Sequence, residues 1–143
     1  MNAIEFLRKE HDHLRQSLLN ISRETHREED KLKMFSCLSQ ELIRHEKMEH
    51  ELWYPHFRSK ISHKVKHLIT EEKHAENAIK QLNEVKKTDE WEDKFSKFRK
   101  DVELHAKDEE INLFPEVKKL LSADDLEQIG LKMSQYKKEH PIP

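Results

Sequence analysis

Apolar residues recur along this chain at alternating steps of three and four, the spacing of one helical face, in four separate stretches. The first runs Ile4, Leu7, His11, Leu14, Leu18 and Ile21, and the second Phe35, Leu38, Leu42, His45, Glu49 and Leu52. The third extends from about Ile61 to Val85 through Val65, Leu68, Ala75, Ala78, Ile79 and Leu82. The fourth carries Trp91, Phe95, Phe98, Val102, His105, Glu109, Leu113 and Val117. Polar connections at 25–30 (THREED), 58–60 (RSK) and 86–90 (KKTDE) separate them. Connections this short make neighbouring helices antiparallel. The pattern therefore predicts an all-α, up-down-up-down four-helix bundle built from two helical hairpins. Ser122, with Asp125 three residues on, predicts the N-cap of a short C-terminal fifth helix bearing Leu126, Ile129, Met133 and Tyr136. The expectation is a single domain over 1–143, with the bundle at about 2–121 and the fifth helix at about 122–138.

Composition changes this picture little. Charged residues make up 39% and apolar ones 34%, proportions that without the stripes would suggest disorder. One glycine and four prolines leave too little turn chemistry for many short strands. The net charge of −2, with both signs interspersed, provides no basic face for nucleic acid. No stretch is long and apolar enough to suggest a membrane partner. Cys37 is the only cysteine, which excludes an internal disulfide framework, and its place between Phe35 and Leu38 suggests a core thiol. The first residues, MNAIEFLRKEHDH, lack the apolar run of an export signal, so a cytoplasmic location is expected.

The chemistry lies in charged residues inside the apolar stripes. HEKMEHELWYP (45–55) and HAKDEEINLFP (105–115) repeat one pattern of His-x-x-x-Glu, a bulky apolar residue, an aromatic and a proline. Residues four apart share a helix face, so His45 points with Glu49 and His105 with Glu109. Setting KHAENAIKQLN beside EHDHLRQSLLN pairs His74 with His11. The four sets lie roughly 13 to 20 Å from the same end of the bundle, at 1.5 Å per residue, and so at one level. Burying unpaired carboxylates costs several kcal/mol, which a shared metal cluster would offset. Four imidazoles (His11, His45, His74, His105) and two carboxylates (Glu49, Glu109) suit two metal ions, with two histidines each and both glutamates bridging. Such mixed ligation favours iron, with manganese or zinc also compatible.

A ferritin-like bundle would use Glu-x-x-His instead, present at Glu10–His13 and Glu71–His74. That reading takes His13 in place of His11, which holds the stripe, and leaves His45 and His105 without a role. His56 and His67 lie roughly 10 Å along their helices from the cluster. His63 and His67 read as a solvated pair, and His13, His26 and His140 as surface residues. His50, Glu46 and Asp108 are candidates for orienting the ligands. Trp53, Tyr54 and Phe114 read as core, and Pro55 and Pro115 predict kinks or unwinding just beyond the site.

His11 in EHDHL, the two eleven-residue motifs, His74 in EEKHAE and the ending LLSADDLEQIG together resemble the hemerythrin-like, or HHE cation-binding, family, from about Ile4 to Tyr136. The resemblance implies a non-haem di-iron centre, oxo- or hydroxo-bridged, on His11, His45, Glu49, His74, His105 and Glu109. Oxygen-carrying members have a fifth histidine one turn before the position of His74, where this chain has Thr70. Its absence would leave a coordination position open on both ions. The expected partner is a small diatomic ligand, oxygen or nitric oxide, or peroxide, and the reduced protein is expected to oxidise rapidly or bind nitric oxide rather than carry oxygen. Two alternatives remain beside this one. The first is an iron-responsive regulator, or an iron-storage or repair factor, whose fold is set by cluster occupancy. The second is the ferritin-like di-metal bundle. Catalysis, sensing and storage all stay open, as do the redox partner and the oligomeric state.

Overall fold

The first stripe becomes helix α1, Ala3–Ile21, opened by a capping box in which Asn2 and Glu5 each accept the other's backbone N–H. The computed structural model describes residues 1–23, 27–86 and 88–143. Helix α2 spans Glu28–Leu52, α3 Ser62–Glu84, α4 Thr88–Asp108, α5 Phe114–Leu120 and α6 Ala123–Glu139. A 3-10 turn at Tyr54–His56 follows α2, and a π-helical turn at Glu109–Leu113 joins α4 to α5. The described residues contain helices and no strands. Among them, no helix is long and apolar enough to cross a membrane.

Helices α2 and α4 begin inside the predicted polar runs, whereas the connection expected at 58–60 widens to 53–61. Glu28, Glu29 and Asp30 form the first turn of α2, and Asp89 and Glu90 that of α4. Acidic side chains are favoured there by the positive end of the helix dipole. The 25–30 run falls partly outside the described residues, and His26 lies wholly outside them.

Helix α1 packs against α2, α3 against α4, and α6 against α1 and α2. Gly130 permits the last docking, since a Cβ there would collide with the Met1 carbonyl and stand 2.8 Å from Asn2 C. Two apolar clusters result. One gathers Leu7, Trp53, Phe57, Leu68, Phe114 and Met133 near the α6 end. The other gathers Leu18, Phe35, Leu82, Trp91, Phe95 and Phe98. The predicted polar level lies between them.

Cys37 departs from the expectation of a core thiol. It is exposed, with its thiol donating to Glu41 Oε1 at 3.3 Å. Phe35, Leu38 and Leu42 hold the inward face, and Cys37, two residues after Phe35 and one before Leu38, is rotated off it. Contact with Glu41, together with partial burial, raises the thiol's pKa and works against a reactive thiolate.

Candidate metal centre

Each helix of the bundle brings polar residues into its buried stripe at one shared level. Helix α1 inserts His11 between Leu7 and Leu14, and α2 inserts His45 and Glu49 around Met48. Helix α3 inserts Glu72 between Leu68 and Ile79. His105 comes from the last turn of α4, and Glu109 from the π turn. That turn has a cause downstream. Pro115 has no N–H to give the Ile111 carbonyl and its ring crowds it, and the register slips so that Phe114 N–H binds the Glu109 carbonyl. At the other motif Pro55 lies in the 3-10 turn, after the α-helix has ended. Both unwound segments fall beside the predicted prolines, the second reaching back to Glu109.

His11 Nε2 lies 3.7 Å from Glu109 Oε2, and His45 Nε2 lies 3.1 Å from Glu49 Oε1. His105 Nε2 is 2.8 Å from Glu109 Oε1 and 3.7 Å from Glu72 Oε2. Two ligand groups emerge, His11–His45–Glu109 and Glu49–Glu72–His105–Glu109, with the donor atoms of each lying within 4.8 Å of one another. Glu109 belongs to both. Glu49 and Glu109 have no exposure. The short contacts are close without being aligned as hydrogen bonds. The Nε2 atoms of His11, His45 and His105, and both oxygens of Glu49 and of Glu109, have no hydrogen-bond partner. Buried polar atoms are almost always paired. Donors converging at these separations suit a cation, since bonds of about 2.1 Å place neighbouring ligands about 3 to 3.4 Å apart.

A carboxylate stands behind each imidazole, hydrogen-bonded to His11 and His105 and only near His45, whose Nδ1 has no hydrogen-bond partner. His11 Nδ1 meets Glu110 Oε2 at 2.8 Å, and Arg15 grips both oxygens of Glu110 at 3.1 and 2.8 Å. His105 Nδ1 meets Glu71 Oε1 at 3.0 Å. His45 Nδ1 faces Glu10 Oε1 at 3.5 Å, and Lys137 of α6 donates to Glu10 Oε2 at 2.7 Å. A proton held on Nδ1 by such a carboxylate turns the Nε2 lone pair inward. Glu72 is itself held, by His50 Nε2 at 2.7 Å and by the Tyr54 hydroxyl at 2.5 Å.

Electrostatics record a shortage of positive charge. Burial and the adjacent Glu109 push the Glu49 carboxyl well above its usual range. Burial does the same to Glu46, beside Glu72 and Glu76, lifting it to about 10. On Glu109 burial is outweighed by His105 and His11, which lower its pKa. Burial opposes charge on His45 and His105 too, but their carboxylate neighbours raise both. Glu10 and Glu110, partly buried, are drawn down to about 2, the first by His45 and Lys137 and the second by His11 and Arg15.

Of the six residues expected from the sequence, the structure gathers His11, His45, Glu49, His105 and Glu109. His74 is exposed and lies outside both groups, and Glu72 occupies the inward position on α3. The burial register pairs Leu7, His11, Leu14, Leu18 and Ile21 with Leu68, Glu72, Ala75, Ile79 and Leu82. The likeness of KHAENAIKQLN to EHDHLRQSLLN is out of that register, because it matches exposed Leu19 with buried Leu82. The stripe itself held the signal, since the three-four rhythm from Leu68 to Ala75 passes through Glu72. Thr70 is likewise exposed, its hydroxyl on the Lys66 carbonyl, and the inward residue one turn before Glu72 is Leu68. His13 is exposed and pairs with Glu41, so neither histidine of the Glu-x-x-His alternative faces the centre. His50 does touch a candidate ligand, whereas the orienting residues are Glu10, Glu71 and Glu110. Glu46 and Asp108, the sequence candidates for that task, are not among them. Each orienting residue directly adjoins a candidate ligand in sequence.

The model of the Hemerythrin HHE cation binding domain matches residues 2–117. The chain belongs to that family, a family of metal-binding helical bundles. No curated protein matches it. Among solved structures it is similar to a Hemerythrin HHE cation binding domain-containing protein from Mycobacterium kansasii, at 23% identity and a TM-score of 0.88, over 98% of this chain and 87% of that one. At that identity the likeness speaks for the fold.

Proposed function

We propose that this chain binds two iron ions, one on His11, His45 and Glu109 and one on Glu49, Glu72, His105 and Glu109, and uses them to react with or sense a small ligand. What carries this reading is the set of buried, unpartnered atoms of His11, His45, Glu49, His105 and Glu109, which Glu72 of α3 joins with its oxygens already hydrogen-bonded. Three imidazoles with three carboxylates form an oxygen-rich set, compatible with iron or manganese and less suited to softer ions. Iron held there would supply redox chemistry and open positions for oxygen, nitric oxide or peroxide.

The protein's own residues make the two sides unequal. Phe114 lies parallel to the His11 ring, with centroids 6.1 Å apart, and closes that side. On the other side a cleft lined by Leu42, Glu46, Glu72, His74 and His105 opens between α2, α3 and α4. It gives a diatomic molecule a route to the Glu72–His105 side. Leu68, the inward residue one turn before Glu72, adds no ligand.

Anaerobic reconstitution with ferrous iron at neutral pH, followed by elemental analysis, should give about two ions per chain. Fewer than about one ion per chain would sink the proposal. Mixing the reduced protein with oxygen should then oxidise it without recovery. Release of intact oxygen under vacuum would refute the reactive reading.

A second reading is favoured by the ligands' origin on every bundle helix together with the mutual repulsion of Glu49 and Glu109. In it, occupancy sets the stability of the fold and so reports iron. Binding to the native state alone adds about 2.7 kcal/mol at a ligand concentration one hundred times Kd. Circular dichroism of the metal-free protein decides this, because an unchanged melting temperature on loading would exclude it.

A further inference from the structure

The outer face of α3 and α4 carries a second convergence of ligand atoms that the buried centre does not use. His67 Nε2 lies 3.4 Å from Asp108 Oδ2 and 3.6 Å from Glu71 Oε2, and one donor atom of each residue falls within 4.8 Å of the others. We propose that His67, Glu71 and Asp108 form a surface site for a first-row divalent cation such as zinc, with His63, one turn earlier on the same cleft, as a further nitrogen donor.

The spacing argues for a shared ion. Separations of 3.4 and 3.6 Å are long for hydrogen bonds. They are close to the edge of a tetrahedron whose bonds are about 2.1 Å. Both carboxylates are also prepared. Asp108 has its Oδ1 tied to the Asn112 amide at 2.6 Å, which leaves Oδ2 facing His67. Glu71 has its Oε1 tied to His105 Nδ1 at 3.0 Å, which leaves Oε2 facing the same point. Lys64, the one cation among the described residues that line this cleft, is turned to the Asn112 carbonyl at 3.1 Å instead of neutralising the acids. One imidazole and two carboxylates, with water completing the shell, match the ligand preferences of zinc and of ferrous iron. His67 is 67% exposed, so an ion reaches the site without any rearrangement. Glu71 then stands between the surface ion and His105, joining the two places through one side chain.

Zinc titration of the metal-free protein by equilibrium dialysis, compared with His67→Ala, tests the site. The wild type should hold one more zinc per chain than the variant, and the His67 ring resonances should shift on zinc addition. Equal stoichiometry, or unshifted His67 resonances, would overturn the assignment. His67 is exposed and outside the buried groups, so circular dichroism should confirm an unaltered fold. The zinc difference does not depend on whether the buried centre takes iron, so failure of one reading is separable from failure of the other.

Discussion

The first hairpin, α1 with α2, and the second, α3 with α4, carry the same motif on their second helices yet deliver different things to the centre. The first contributes two imidazoles and one carboxylate, and the second one imidazole and two carboxylates, because Glu72 stands where His11 would be repeated. After its glutamate the first motif leaves the α-helix through a 3-10 turn, whereas the second continues through a π turn that contains Glu109. Helix α6 packs against the first hairpin, and through Lys137 it reaches Glu10 behind His45. Repetition thus provides the bundle and its polar level. The departures from it set the charge that converges there, and they leave Phe114 stacked parallel to the His11 ring and a cleft beside His105.

The largest effect should come from the residue both groups share. Glu109→Ala is expected to lose both ions, read by elemental analysis after reconstitution, while a comparable loss of Glu49 spares the His11–His45–Glu109 group. Retention of a full complement by Glu109→Ala would dissolve the idea of a shared bridge. A sharper contrast lies within α3. Glu72→Ala should weaken metal binding by at least about tenfold. His74→Ala, an exposed change, should stay within about 0.5 kcal/mol in stability and leave loading unaltered. The reverse outcome would mean that the metal-loaded protein turns α3 to bring His74 inward.

The contrast between Glu72 and His74 also marks what could be read from sequence. Five of the six inward residues follow from polar residues at stripe positions, because burial forces a helix to keep one face. The sixth was displaced by residue identity, since a histidine attracts a metal assignment and a glutamate in a charged run, EEKHAE, does not. Periodicity alone selects Glu72, whose neighbours Leu68 and Ile79 are buried on the same face. The carboxylates behind the imidazoles were legible only in hindsight. Glu10, Glu71 and Glu110 sit beside ligands in sequence, but which of many half-exposed acids turns inward depends on inter-helix geometry. The helical bundle was legible, whereas the wide 53–61 connection was not, and the π turn shows only as a proline one turn too late.

Helix α6 supplies a test of the asymmetry that is independent of metal. Gly130→Ala places a methyl group against the Met1 and Asn2 backbone, where little can yield. A cost of about 1 to 3 kcal/mol is expected, measured by chemical denaturation of the metal-free protein. Hydrogen exchange should then show loss of protection in α1 and α6 before α3 and α4. Uniform loss across both hairpins would mean that α6 stabilises the whole bundle and not its first half.

The smallest effect concerns how α6 begins. Ser122 Oγ accepts the Asp125 backbone N–H at 3.0 Å, and Asp125 Oδ2 accepts the Ser122 backbone N–H at 3.1 Å. The same device opens α1, whereas neither α2 nor α3 has a side-chain cap, so capping singles out α1 and α6. Ser122→Ala should cost about 1 kcal/mol. The backbone and hydroxyl of Ser122 hold the Asp125 carboxyl below its ordinary value. A lowered carboxyl contributes stability above its ordinary range and loses it as pH falls through the folded-state value. Melting temperatures of the wild type should therefore drop between neutral and acid pH by a small increment that Asp125→Asn lacks. If both proteins lose the same amount, the box contributes through hydrogen bonding alone and the charge on Asp125 is idle.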